Sequence, residues 1–265
     1  MSFKSGLMKG KKGLIMGVAN DHSLAWGIAD VLNKNSAEIA FTYQGEALLK
    51  RVEPLAKSVK SEYILKCDVS NQEELEKVYE SLKDKWGKID FLVHAIAYSD
   101  KNELNGRYVD TSKENFLNTM EISCFSFTQI LRIFEPLLTG NSSVLTLTYG
   151  GSERVIPNYN VMGVAKAALE SSVRYLASDL GDKGIRVNAL SSGMMRTLAG
   201  SAINGSRDMF KFAEKHKPLK YDLTLENIGS SGLYLLSDLS AGVTGEVHYV
   251  DQGYNTIGMP KIKDL

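Results

Sequence analysis

Lys12-Gly13-Leu14-Ile15-Met16-Gly17-Val18-Ala19-Asn20-Asp21-His22-Ser23-Leu24-Ala25-Trp26-Gly27 begins with charge, turns apolar at Leu14, and breaks at Gly17. An apolar run this short, ended by glycine, predicts a buried strand over 13–18. Ile28, Val31 and Leu32 then recur at helical spacing, so the intervening loop feeds a helix. The first turn of a helix carries unpaired N–H groups and the positive end of its dipole. A dinucleotide pyrophosphate would be held at such a point. The glycines do not follow G-x-G-x-x-G, and a plain strand-to-helix turn reads the same way, so the stretch speaks for architecture before ligand.

The same alternation repeats along the chain. Short apolar runs at 37–43, 63–67, 91–95, 143–148, 186–190 and 246–250 predict six further strands. Between them lie amphipathic stretches, such as 73–86 with Leu75, Val78, Tyr79 and Leu82, and 116–138, read as one helix. Ser70 with Glu73 reads as a capping box at the start of the first of these, while Asp68 can cap the turn before it. Strands alternating with helices give an α/β, doubly wound parallel sheet of about seven strands with helices on both faces. No linker or repeat divides 1–265, which reads as a single domain; 194–221, between the sixth strand and the last helix, is irregular enough to be a lid over a pocket.

Composition excludes several classes. The chain has 265 residues with 31 basic and 31 acidic side chains, a formal net charge of zero, which recommends neither nucleic acid nor an anionic membrane as partner. No apolar run approaches the ~20 residues of a membrane span, and the start lacks a signal-peptide core. Cys67 and Cys124 have no ligand spacing and read as reduced thiols, which favours a cytoplasmic protein. His22, His94, His216 and His248 are scattered, so no metal site is expected.

Tyr159-Asn160-Val161-Met162-Gly163-Val164-Ala165-Lys166 is the stretch that carries chemistry. Seven residues make almost two helical turns, so Tyr159 and Lys166 share a face. A lysine near a phenol favours the phenolate and strengthens the hydroxyl as a donor, as proton transfer to an oxygen gaining charge requires. Ordinary surface residues give the same pair, but position decides. In an open α/β sheet, ligands bind beyond the carboxyl ends of the strands, and the helix carrying this pair starts just after the strand ending at Tyr149. His94 reads as a buried, satisfied histidine, Asp21 and His22 as exposed loop residues, and Met194 and Met195 as candidates for core packing.

Together these features resemble the short-chain dehydrogenase/reductase family and, within it, the bacterial enoyl-acyl-carrier-protein reductases of fatty-acid synthesis. The resemblance is carried by Gly-Val-Ala-x-x-x-Ser at 17–23, Ala-Phe-Thr-Tyr at 40–43, Cys-Asp-Val at 67–69, Leu-Thr-Leu-Thr-Tyr at 145–149, Pro-Asn-Tyr-Asn-Val-Met-Gly at 157–163, Lys166, Arg-Val-Asn-Ala at 186–189, Arg-Thr-Leu-Ala at 196–199 and Ser-Asp-Leu-Ser-Ala-Gly at 237–242. It implies a Rossmann-type fold, NAD (NADH) as cofactor, acyl carrier protein bearing an enoyl thioester as partner, and a homotetramer. Tyr159 would act on the thioester carbonyl oxygen, Lys166 would hold the nicotinamide ribose, and Tyr149 would shape the pocket. Gly17, Ser23 and Leu24 would meet the pyrophosphate and ribose, and Gln44 the adenosine ribose. Asp68 and Val69 would flank the adenine, with Ala95 and Ile96 beside the cofactor ribose. Ala97 would face substrate, Ser191–Gly193 would approach the nicotinamide, and Met195 and Thr197 the carboxamide and phosphates. Two departures bear on substrate choice. Gly150-Gly151 replaces a larger apolar residue before one glycine, and Ser192-Gly193-Met194-Met195 replaces Ala-Gly-Pro-Ile. They leave open a related oxidoreductase acting on a different carbonyl or alcohol; a cofactor binder without catalysis is disfavoured by the presence of both Tyr159 and Lys166.

Overall fold

In the computed structural model, which describes residues 6–201, 203–259 and 261, seven strands form one parallel sheet. The elements run β1 (Lys12–Met16), α1 (Leu24–Lys34), β2 (Glu38–Tyr43), α2 (Glu46–Ser58), β3 (Ile64–Lys66), α3 (Gln72–Trp86) and β4 (Ile89–His94). Then follow α4 (Lys113–Met120), a π turn (Glu121–Phe125), α5 (Ser126–Phe134), β5 (Leu138–Tyr149), α6 (Asn160–Gly181) and β6 (Arg186–Ser192). The chain closes with α7 (Leu198–Ser201), α8 (Ser206–His216), α9 (Leu225–Leu236) and β7 (Val247–Val250). The spatial order is β3-β2-β1-β4-β5-β6-β7, so the strand order reverses between β1 and β4. That crevice is where an open α/β sheet takes its ligand.

The sheet is buried on both faces because its strands alternate apolar side chains. Leu14, Met16, Leu92 and Val144 pack with Val78, Phe127, Phe134 and Val173 on one side, under α3, α5 and α6. Ile15, Phe41, Phe91, Val93 and Leu145 pack with Ile28, Leu32 and Leu235 on the other, under α1 and α9. Among the described residues, no helix is long and apolar enough to cross a membrane.

Two local expectations are corrected. The stretch 116–138 is not one helix: a π turn interrupts it, and β5 already begins at Leu138. The serines of that stretch explain the interruption. The Ser126 hydroxyl donates to the Ile122 carbonyl (2.7 Å) and lies 2.9 Å from His94 Nε2, while Ser123 donates to the Tyr98 carbonyl and accepts from its N–H (2.9 Å each). Side chains that compete for helix carbonyls and bind the neighbouring strand loop favour a widened turn. Nor is Ser70 the cap of α3. Asn71 is, accepting from Glu74 N–H at 3.2 Å, while the Ser70 hydroxyl donates to Asp68 (2.7 Å). Asp68 does cap that turn, accepting from Ser70 N–H as well.

Candidate active site

Gly17 ends β1 with φ +99°, a left-handed conformation, and a Cβ there would stand 2.0 Å from the Ala95 carbonyl oxygen. Only glycine lets the first loop leave the sheet so close to β4. Ser23 occupies the N-cap position of α1, but its hydroxyl turns back into the loop and accepts from Ala19 and Asn20 N–H, both at 3.0 Å. The loop is thereby rigid, and the first amides of α1 are left uncapped by that side chain. An anion is the natural partner for them. Leu24 is half-buried against the core.

The carboxyl rim continues on both sides of Gly17. On β2 and β3, the Gln44 amide donates to Asp68 (2.8 Å). Burial pushes the Asp68 carboxyl up, but the bonds from Ser70 and Gln44 outweigh it and hold it below the usual carboxylate range. Val69 is buried in the core, so it offers the rim backbone rather than side chain. On β4, His94 is fully buried between Thr146 Oγ1 (3.1 Å) and Ser126 Oγ (2.9 Å). Burial pulls it down to about 3, so it is a neutral, satisfied residue and no acid catalyst. Ala95 and Ile96 follow half-buried, and Ala97 is exposed. From β3 to β5 is four strand spacings, about 19 Å, a span suited to an extended two-nucleotide ligand.

The other end of the rim holds the tyrosines. Tyr149 closes β5, and its ring meets that of Tyr159 edge to face, centroids 5.3 Å apart. Tyr159 is the residue before α6 and only 8 % exposed. Gly151 packs flat on it: a Cβ at 151 would lie 2.4 Å from Tyr159 Cδ1, and one at Gly163 would lie 2.7 Å from the Gly151 carbonyl oxygen. The two glycines let the turn after β5 press onto α6 and wedge the phenol in place. Gly151 therefore has a structural reason, whereas a Cβ at Gly150 would meet nothing within 4 Å.

Lys166 is buried (7 % exposed) and donates to the Leu147 carbonyl of β5 (2.8 Å). Burial pulls its amine down to about 8. The expected pull of Lys166 toward the ionised phenol is outweighed. Burial, and then Tyr149 and Glu170, push the Tyr159 phenol up, so it stays protonated and acts as a donor. Tyr149 is likewise pushed up to about 12, first by burial.

The segment 194–221 contains two helices with Arg196 stacked on Phe210, 4.8 Å to the ring centroid. One cleft, with about 800 Å³ of open space, lies between it and the first loop, bordered by His22, Met195 and Arg196. A second, narrower cleft is bordered by Tyr149, Gly150, Ile156 and Gly193. Met194 borders both. Thr197 accepts from Gly200 N–H (3.0 Å), and Met195 is half-buried against the α1–α9 core. Asp21 and His22 are exposed as expected, but His22 also borders the first cleft. Sequence reasoning missed Arg196, Thr148 and Glu170. The last had a signal: an acid one turn beyond Lys166, on a face otherwise made of Ala165, Leu169 and Val173.

A dinucleotide fits these residues: an uncapped helix start, an amide and a carboxylate at the far strands, and a protonated phenol and a buried ammonium two turns apart on α6. Comparison with known proteins agrees. The sequence model described as enoyl-(acyl carrier protein) reductase matches residues 17–255. The enoyl-acyl-carrier-protein reductase (NADH) 2 of Rhizobium meliloti is 60 % identical over 98 % of this chain and 97 % of its own length. The Anaplasma phagocytophilum enoyl-acyl-carrier-protein reductase solved with NAD is 54 % identical, with TM-score 0.93 over 97 % of this chain and 98 % of that one. The Bacillus cereus enoyl-acyl carrier protein reductase, solved with NADP+ and an indole naphthyridinone, is 45 % identical, with TM-score 0.92 over 96 % of this chain and 99 % of that one. The chain belongs to the enoyl-(acyl carrier protein) reductase family.

Proposed function

We propose that this protein reduces the trans-2 double bond of an enoyl thioester borne by acyl carrier protein, in fatty-acid elongation, with NADH as reductant. The observation that carries the reading is the protonated Tyr159, wedged by Gly151 at the start of α6, with the buried Lys166 two turns along the same helix, in a chain of this family. The nicotinamide supplies a hydride to C3 of the substrate when bound. Negative charge then gathers on the thioester oxygen, Tyr159 donates a hydrogen bond to it, and protonation at C2 completes the saturated thioester. A preorganised donor of this kind lowers the barrier by ~3–4 kcal/mol. Lys166 binds the ribose hydroxyls and lends positive charge. The loop amides and first turn of α1 hold the pyrophosphate, and Gln44, Asp68 and Val69 surround the adenosine. Ala95, Ile96, Met195 and Thr197 complete the cofactor cleft, while Tyr149 and Ala97 face the acyl thioester.

The chain acts as one reductase domain in the cytoplasm, with 194–221 as its substrate lid. NADH is favoured over NADPH because Gln44, Asp68 and Glu46 offer an amide and acids where a 2′-phosphate would need a cation. The assay is oxidation of NADH and of NADPH with crotonyl thioester. Turnover with NADH at the higher kcat/KM is expected; turnover only with simple carbonyl compounds would overturn the substrate.

The assembly is a homotetramer built on α5 and α6. Most of their apolar residues are core, but Phe125 just before α5 (51 % exposed), Val164 (37 %) and Tyr175 (74 %) are not, and the lid leaves them bare. Paired two-fold contacts would cover them and close a tetramer. Light scattering should give about four times the 29.2 kDa chain mass; the mass of one chain would refute it.

A further inference from the structure

Lys166 and Glu170 lie one turn apart on the same face of α6, and both are buried, Glu170 to 6 % exposure. Each is tied to β5 through consecutive residues: Lys166 donates to the Leu147 carbonyl (2.8 Å), and Thr148 Oγ1 donates to Glu170 Oε1 (2.6 Å). A buried carboxylate is costly unless hydrogen-bonded and compensated, and so is a buried ammonium. The groups facing Lys166 from the packed elements are His94 of β4, Cys124 of the π turn and Glu170. His94 is neutral, and burial keeps the Cys124 thiol protonated. Tyr159 and Tyr249 face Glu170, and burial leads in pushing both phenols up. Glu170 is therefore the carboxyl group within reach of Lys166 among the described residues.

We infer that Glu170, held by Thr148, is a positioning residue that keeps Lys166 charged and in place for cofactor binding. The carboxylate does not touch the reacting atoms; it acts through the lysine. The inference rests on the reading that Lys166 holds the nicotinamide ribose. It explains how an ammonium can persist at a site where burial works against charge: the counter-charge sits on the same helix, and its own orientation is fixed by the strand that also fixes the lysine.

The test compares the native protein with Glu170→Gln and Thr148→Val. Two quantities are followed from neutral to alkaline pH: NADH affinity, by quenching of intrinsic fluorescence, and the titration of Lys166 in the cofactor-free protein, by carbon-13 NMR of labelled lysine. Glu170→Gln should lower the Lys166 midpoint, and the alkaline loss of NADH affinity with it, by about one pH unit or more. Thr148→Val keeps the carboxylate but removes the bond that holds it, and should lower either midpoint by clearly less, whereas a merely structural role would make the two variants alike. Coincident titrations in the native protein and Glu170→Gln would overturn the inference, as would an equal downward shift in Thr148→Val. Should the lysine shift occur while the native protein binds no NADH, the charge coupling would stand and the cofactor role of Lys166 would fall.

Discussion

The two walls of the cleft are built differently. On one side, Tyr149, Gly151, Tyr159, Lys166 and Glu170 are locked onto β5 and α6 by ring packing, backbone contact and buried hydrogen bonds. On the other, 194–221 is made of two short helices; α8 buries none of its side chains, and Leu198, Phe212, Leu219 and Tyr221 are each about half exposed. Groups that must meet a transition state within a fraction of an ångström belong on rigid elements; groups that admit and cover a substrate must be able to move. In the proposed function, the fixed wall does the chemistry and the loose wall governs access.

The largest effect should come from the fixed wall. Tyr159→Phe removes the donor but not the ring, so kcat should fall by about 10²–10³-fold while NADH affinity stays near native. Lys166→Ala should lower both, because its proposed contacts are to ribose. Steady-state kinetics combined with NADH titration separates these outcomes. Near-native turnover by the Phe variant would move the chemistry off this wall.

A stability effect follows from His94, which ties the fixed wall to β4. Its folded-state value, about 3, is depressed from an ordinary 6.5. The unfolded chain therefore binds the proton more readily. The stability this group contributes is fully present above pH 6.5 and is lost as pH falls toward 3, at up to about 1.4 kcal/mol per pH unit. Denaturant melts across that range should show a slope of this sign. His94→Gln should flatten it; an unchanged slope would place the acid sensitivity elsewhere.

The fixed wall was also the legible one. Apolar strands of 13–18 and 143–148, a glycine at 17, and Tyr159 seven residues before Lys166 follow periodic rules that a single sequence displays. The strand boundaries fell within two residues for that reason, except that β5 begins at Leu138, five residues before the expected start. What escaped depends on contacts between distant segments. The π turn arises because Ser123 and Ser126 bind Tyr98 and His94, partners that sequence does not announce. Glu170 was hidden because its meaning depends on Thr148 lying across from it on β5. A lysine pull toward the ionised phenol was expected because proximity was weighed and burial was not; in the folded chain burial dominates. Along 194–221 there is little period to read, which is itself the mark of the loose wall.

Adjacent glycines offer the most direct test of this division. Gly151 touches the Tyr159 ring, and Gly150 faces open space, yet both carry the same chemistry and neither has a positive φ. If Tyr159 is the reactive donor and is held by this contact, Gly151→Ala must displace it and should cost kcat with crotonyl thioester about tenfold or more. Gly150→Ala should leave kcat near native. Equal, small effects at both positions would contradict the claim that the fixed wall sets the chemistry.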